Sequence, residues 1–372
     1  MRIGIPTEVK NNERRVGLTP TSVQEVVGAG HSVIVQSGAG LGIGDSDEAY
    51  ENAGATIVAD AQAVFAAATM IVKVKEPQAQ ERAMLRDDHV LFTYLHLAPD
   101  ADQANDLIAS GAMCIAYETV TDGHGRLPLL APMSQVAGRM SVQAGAAALE
   151  STHGGAGLLL GGVPGVAPAN VTIIGGGVVG MNASQMAVGM GANVTVLDRN
   201  LEVLEGLDTQ FGSGITTVYS TARALEEAVM RADLVIGAVL VKGARAPKLV
   251  TAEMVRQMRP GVAMVDVAID QGGALETSHA TTHEDPTFLV DGVVHYCVAN
   301  MPGGVPRTST YALNNATLPY VIRLANDPKA ALLGDQHLLD GLNVCGGQVT
   351  EMAVAEALGV DYVDPAAALA GW

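Results

Sequence analysis

The chain reads as an α/β protein of two doubly wound domains, one inserted into the other. Three observations predict this. Short runs of apolar and β-branched residues alternate with helical stretches along most of the 372 residues, the pattern of parallel sheets covered by helices. The run Val171-Thr-Ile-Ile174 ends in Gly175-Gly-Gly177-Val-Val-Gly180, a G-x-G-x-x-G between a strand and a helix. A separate strand system precedes it without a glycine fingerprint of its own.

In the first system, residues 2–6 form a strand. Val33–Val35 and Ile57–Val58 follow, each after a helical stretch (Thr19–Ala29, Asp47–Ala53). Met70–Val74, Val90–Tyr94 and Met113–Ala116 continue the sheet, with helices near Gln78–Leu85 and Ala101–Ser110 between them. Leu127–Pro132 reads as a crossing between domains, and a long helix follows from Ser134 to about Ser151. Gly154–Pro168, rich in Gly and Pro, reads as a loop.

The second system starts at Val171. Gly175 makes the tight turn, Gly177 lets the backbone approach a pyrophosphate, and Gly180 lets the helix pack close to the strand. The helix, from about Val178 to Met190, offers free amides and a positive dipole end. The next strand, Asn193–Leu197, leads into Asp198. A carboxylate there accepts ribose hydroxyls and repels the 2′-phosphate of NADP, so the predicted cofactor is NAD. Strands at Thr217–Tyr219, Leu234–Ile236, Ala263–Val265 and Val293–Tyr296 complete a Rossmann-like domain. A helix from about Thr308 to Asn326 carries the chain back, and helical pieces near Gln336–Gly341 and Met352–Leu358 form the tail. The expected domains are therefore 1–130 with 306–372 for substrate and catalysis, and 131–305 for the dinucleotide.

The net charge of −18 offers no basic stripe for nucleic acid. Cys114, Cys297 and Cys345 are scattered, which suits a reducing compartment and gives no zinc site. The longest apolar stretches are broken by Gly and Pro, so no membrane span is expected. The reading is a cytoplasmic protein without an obligatory metal.

Four places carry chemistry. Arg14 and Arg15 follow the first strand, and a guanidinium clamps carboxylates bidentately; an exposed loop arginine is the plainer reading. Lys73 and Lys75 sit at a strand end, where α/β proteins place their sites. Pattern puts both on one face and does not choose between them. His96, again at a strand end, suits proton transfer near neutral pH, or is a core histidine satisfied by backbone. Asp266 and Asp270 follow another strand, and Asp270 precedes a Gln-Gly-Gly loop. Glu118 and His124 lack metal-ligand spacing with anything nearby.

Gly4–Lys10, Glu13–Leu18, Val72–Pro77, Phe92–Leu97, Leu160–Val166, Ile174–Gly180, Val265–Gly273 and Ala299–Pro302 together resemble bacterial L-alanine dehydrogenases, of the alanine dehydrogenase/transhydrogenase N-terminal family. The likeness runs from residue 1 to about 345. It implies NAD-dependent oxidative deamination of L-alanine to pyruvate and ammonium, and the reverse amination, in a homohexamer. It implies that Arg15 and Lys75 bind substrate and that His96 and Asp270 are the acid–base pair. Ser134, Val178, Val179, Asp198, Ser220, Val239, Leu240, the Val267–Asp270 turn and the Val298–Met301 turn, with Asn300 in it, match its cofactor contacts. Val203 departs from the pattern, standing where many relatives carry a basic residue. The rival readings are an NAD-binding transhydrogenase-like subunit, a saccharopine-type dehydrogenase and an NAD-sensing regulator.

Overall fold

A computed structural model describes residues 1–239 and 246–372. The chain divides into two units, Met1–Pro132 with Val305–Trp372, and Met133–Gly304.

The first unit opens with β1 (Arg2–Ile5), β2 (Ser32–Gln36), β3 (Thr56–Val58), β4 (Met70–Val72), β5 (Val90–Thr93) and β6 (Met113–Ala116). The second unit holds β7 (Asn170–Ile174), β8 (Asn193–Asp198), β9 (Ile215–Tyr219), β10 (Leu234–Gly237), β11 (Ala263–Asp266), β12 (Thr287–Val290) and β13 (Val293–Tyr296). The chain then returns to the first unit with β14 (Leu342–Cys345) and β15 (Gln348–Val349).

Within each unit the sheet has the doubly wound order. The first runs β15-β14-β6-β5-β4-β1-β2-β3 and the second β12-β13-β11-β10-β7-β8-β9. Six strands are parallel in each. Strands covered on both faces need no alternation of polar and apolar residues, and β4, β5, β6, β10, β11 and β13 are buried throughout.

Three strands differ from the sequence reading. β12 pairs antiparallel with β13 across Asp291-Gly292, both at positive φ. β14 pairs antiparallel with β15 across Gly346-Gly347, also both at positive φ. These are two-residue hairpins of the kind Asp-Gly and Gly-Gly favour. β14 also lies antiparallel on β6, so the tail adds sheet edge as well as helices.

The long helix runs from Ala131 to Ala148, three residues earlier than expected at each end. In the second unit a Cβ on its Gly138 would meet the Val179 carbonyl at 2.3 Å, and one on Gly145 would meet Leu234 at 2.6 Å. Small residues therefore let this helix lie close to the glycine-turn helix and the sheet. The return helix spans Pro306–Asn326 and tolerates Pro319 inside it.

Candidate functional site

The chemistry-bearing residues gather at the carboxyl ends of the parallel strands in each unit, where open α/β sheets bind ligands.

In the second unit, the helix after β7 runs from Val178 to Gly189, and its N-cap is Gly177, with no side-chain cap. Gly175 sits at φ +100°, which the tight turn needs. A Cβ on Gly180 would lie 1.8 Å from the Gly175 carbonyl, whereas one on Gly177 would meet nothing within 4 Å. The third glycine is thus required by packing, and the second leaves room above the amides. Val179 is buried and Val178 exposed.

Asp198 ends β8. Its carboxylate accepts from the backbone N–H of Gly176 at 2.7 Å and of Asn200 at 2.8 Å. Ser220 donates its N–H to the Asp198 carbonyl at 2.9 Å. Val239 follows β10 and packs toward Gly175. Val267 follows β11, Val298 follows β13, and Ser134 is half-buried on the long helix. Leu240 lies outside the described residues. Val203 leans on the glycine turn: a Cβ on Gly176 would meet it at 2.7 Å. A glycine cradle, an uncapped twelve-residue helix and a carboxylate at the next strand end fit a dinucleotide.

Asp266 and Asp270 part company. Asp266 is wholly buried. It accepts from the N–H groups of Ala268, Ala274 and Leu275 and from the Ser278 hydroxyl at 2.7 Å. Lys248 donates to the Gly272 and Leu275 carbonyls of the same loop. Asp270 is exposed on the loop so held and accepts from the Asn300 N–H at 3.3 Å. Asn300 itself has φ +58°, and Met301 beyond it is buried.

In the first unit the sequence alternatives separate. Arg14 is exposed, whereas Arg15 is 2% exposed. Glu13 grips the Arg15 guanidinium through Nε at 2.7 Å and Nη2 at 2.5 Å. Burial alone lowers the Arg15 pKa; the Glu13 bond and charge more than reverse that, so the guanidinium stays charged.

Lys73 and Lys75 do not share a setting. Lys73 is fully buried, with Nζ 2.9 Å from Glu8 and 2.7 Å from Glu81. Burial works against its charge, and the two carboxylates outweigh that, leaving its pKa raised. Burial also raises the pKa of Glu8 despite Lys73. Lys73 is thus the centre of a buried ionic cluster. Lys75 is half-buried, 3.5 Å from Glu76. Glu8 also accepts from the N–H of Val74 at 2.6 Å and of Lys75 at 3.3 Å, so it holds the strand end that carries Lys75.

His96 is exposed and sits at φ +49°, a conformation that costs a non-glycine residue on the order of 1–3 kcal/mol. Its ring lies parallel to that of Tyr94, centroids 5.8 Å apart. Tyr94 is buried, which raises its pKa, and donates its hydroxyl proton to the Leu129 carbonyl at 2.5 Å. Glu118 follows β6 and accepts from the His96 N–H at 2.5 Å.

The sequence reading left Glu8, Glu13 and Tyr94 without roles and weighed Glu118 only as a metal ligand. The signal for Glu118 was its place at a parallel strand end, the same that marked His96. Among the described residues no group of three His, Cys, Asp or Glu can hold a metal ion, and no helix is long and apolar enough to cross a membrane.

A doubly wound sheet that carries such a glycine cradle defines the second unit as a nucleotide-binding α/β domain, and the first unit adds a second doubly wound sheet with a charged rim. Comparison with known proteins takes the assignment further. Residues 4–137 match the model of the alanine dehydrogenase/PNT N-terminal domain, and residues 141–352 that of its C-terminal domain. The chain is 60% identical to the alanine dehydrogenase of Halomonas elongata, across 98% of this chain and 99% of that one. It is 55% identical to that of Bacillus subtilis, across 99% and 98%. Among solved structures, an L-alanine dehydrogenase superposes with a TM-score of 0.94 at 52% identity, covering 96% of this chain and 99% of its own. A transhydrogenase from Sinorhizobium meliloti gives 0.81 at 25% identity, covering 95% and 100%. The chain belongs to the alanine dehydrogenase/PNT family.

Proposed function

We propose that this protein oxidatively deaminates L-alanine to pyruvate and ammonium with NAD, and runs the reverse amination. The observation that supports this best is the charged rim of the first unit. Arg15 and Lys75 are cations set by buried glutamates at strand ends, and His96 sits at the end of the neighbouring strand. A transhydrogenase-like subunit needs the dinucleotide cradle but has no use for a carboxylate clamp or an acid–base group. That reading also rests on 25% identity, against 52–60% for alanine dehydrogenases.

When bound, the nicotinamide supplies a hydride acceptor. Residues 133–304 form the cofactor unit. Gly175, Gly177 and Gly180 shape the turn for the pyrophosphate, with Val178 and Val179 at the helix start. Asp198 takes the adenosine ribose hydroxyls and disfavours NADP. Ser134, Ser220, Val239, Val267, Val298, Asn300 and Met301 complete the contacts. Residues 1–132 with 305–372 form the substrate unit. Arg15 and Lys75 bind the alanine carboxylate and offset charge that develops on oxygen. Loss of the Cα hydrogen as hydride leaves an iminium, which Asp270 stabilises by its charge. Water must then attack that carbon. His96 takes the water proton, and later returns a proton to the departing amine. The protein acts as a cytoplasmic homohexamer.

Incubation of the pure protein with L-alanine and either NAD or NADP, followed by absorbance of the reduced cofactor, tests the reading. NADH is expected to appear and NADPH barely. No NADH with alanine would overturn the activity, and equal use of both cofactors would overturn the role of Asp198.

A further inference from the structure

We propose that Glu118 is a positioning residue for His96; this rests on the acid–base role just proposed for that histidine. Strand β5 ends at Thr93, and the chain must turn out of the sheet to present His96. That turn leaves backbone N–H groups without strand partners, and buried orphans of this kind are costly. Glu118 satisfies two of them. It accepts from Leu95 N–H at 3.1 Å and from His96 N–H at 2.5 Å. Both bonds are to a carboxylate, hence of the stronger, charge-assisted kind.

The same oxygen lies 3.7 Å from Nδ1 of His96. One carboxylate therefore faces both the backbone and the ring of the same residue. The Leu95 carbonyl is held by the Gln103 side chain at 2.5 Å, and the Tyr94 ring lies parallel to the imidazole. These contacts over-determine the turn, which is what a left-handed histidine requires. Glu118 itself sits in the short helical turn Tyr117–Thr119 after β6, the strand hydrogen-bonded to β5. Displacement of one strand end against the other thus moves His96 directly. The role is mechanical and electrostatic: Glu118 sets where the imidazole stands and which edge it presents, and touches no reacting atom.

A double-mutant cycle tests this. Glu118→Ala is expected to lower kcat on the order of 10–100-fold, the cost of a misplaced catalytic group. Affinity for NADH and KM for alanine should change less than about twofold. Glu118→Gln keeps an oxygen acceptor for the backbone and should fall between the parent and the alanine variant. In a His96→Ala background, either Glu118 variant should cost less than about twofold further, because the group it positions is gone. Losses that multiply in the double variant would overturn the proposal, as would a fall in NADH affinity matching that in kcat. If Glu118→Ala does not fold, the glutamine variant in both backgrounds decides by the same criterion. If His96→Ala alone keeps parent turnover, the acid–base reading of His96 fails instead, and the two failures are distinguishable.

Discussion

The two sheets share a strand order, yet their first strand-to-helix turns are built for opposite purposes. After β7 the chain enters its helix within three residues, and the N-cap is Gly177, which has no side chain to spend on the helix amides. After β1 the chain runs fourteen residues, 6–19, before its helix. That helix is closed by its own residues: Thr19 accepts from Ser22 N–H, and Pro20 at the first turn has no N–H to offer. A closed N-terminus cannot cradle a phosphate. The long loop carries Glu8, Glu13 and Arg15 to the rim instead. Topology fixes where a ligand binds, and the residues of the first turn fix which kind.

The sharpest way to break this comparison is to fill the glycine turn. Gly180→Val is expected to abolish NADH binding and to destabilise the second unit, since its Cβ alone would overlap the Gly175 carbonyl. Gly177→Ala separates function from fold. Its Cβ meets open space and its φ of −65° suits alanine, so the melting temperature should hold. NADH affinity should still fall at least tenfold, about 1.4 kcal/mol, because the methyl group occupies the phosphate approach. Dye-free thermal melts and NADH fluorescence titration check both. Unchanged NADH affinity in Gly177→Ala would show that the turn only packs.

The next effect compares two lysines two residues apart. Lys75→Ala is expected to cost turnover by roughly 2–5 kcal/mol in transition-state binding with little change in melting. Lys73→Ala leaves Glu8 and Glu81 buried without their cation. It should destabilise the first unit by about 3–5 kcal/mol, seen in urea midpoints. A stable Lys73→Ala would contradict the buried cluster.

These lysines also mark the reach of the sequence. The doubly wound order and the glycine turn were legible, because a buried parallel sheet writes itself as apolar runs and a phosphate turn demands glycine. Lys73 and Lys75 were not separable, because alternation assigns a face but not a depth, and the strand ends at Val72, before both of them. β12 and β14 were passed over although Asp291-Gly292 and Gly346-Gly347 stand at their turns. Val293–Tyr296, on one side of the first turn, reads as a strand, whereas its partner Thr287–Val290 is only half-buried. Glu118 needed the fold, since only the pairing of β5 with β6 brings it to His96.

The smallest expected effect concerns one buried histidine in each unit. In the first unit His89 accepts from Arg86 N–H on Nδ1 and faces the Phe65 carbonyl through Nε2. In the second unit His295 faces the Val293 carbonyl through Nδ1 and the Thr277 hydroxyl through Nε2. Each pairing suits a neutral ring with one proton. Burial is the main cause that lowers both pKa values below the usual 6.5, with Arg86 adding to it at His89. The unfolded chain therefore takes up these protons at higher pH than the folded one. Their contribution to stability is complete above about pH 6.5 and is lost as the pH falls below it. Each adds up to about 1.4 kcal/mol per pH unit to the slope in that window. Urea unfolding between pH 7.5 and 5.5 should show stability falling with acid. His89→Gln and His295→Gln should each flatten the curve relative to the parent, whatever their cost at pH 7.5. A variant whose slope matches the parent's would mean that its histidine takes up its proton at the same pH in the folded as in the unfolded chain.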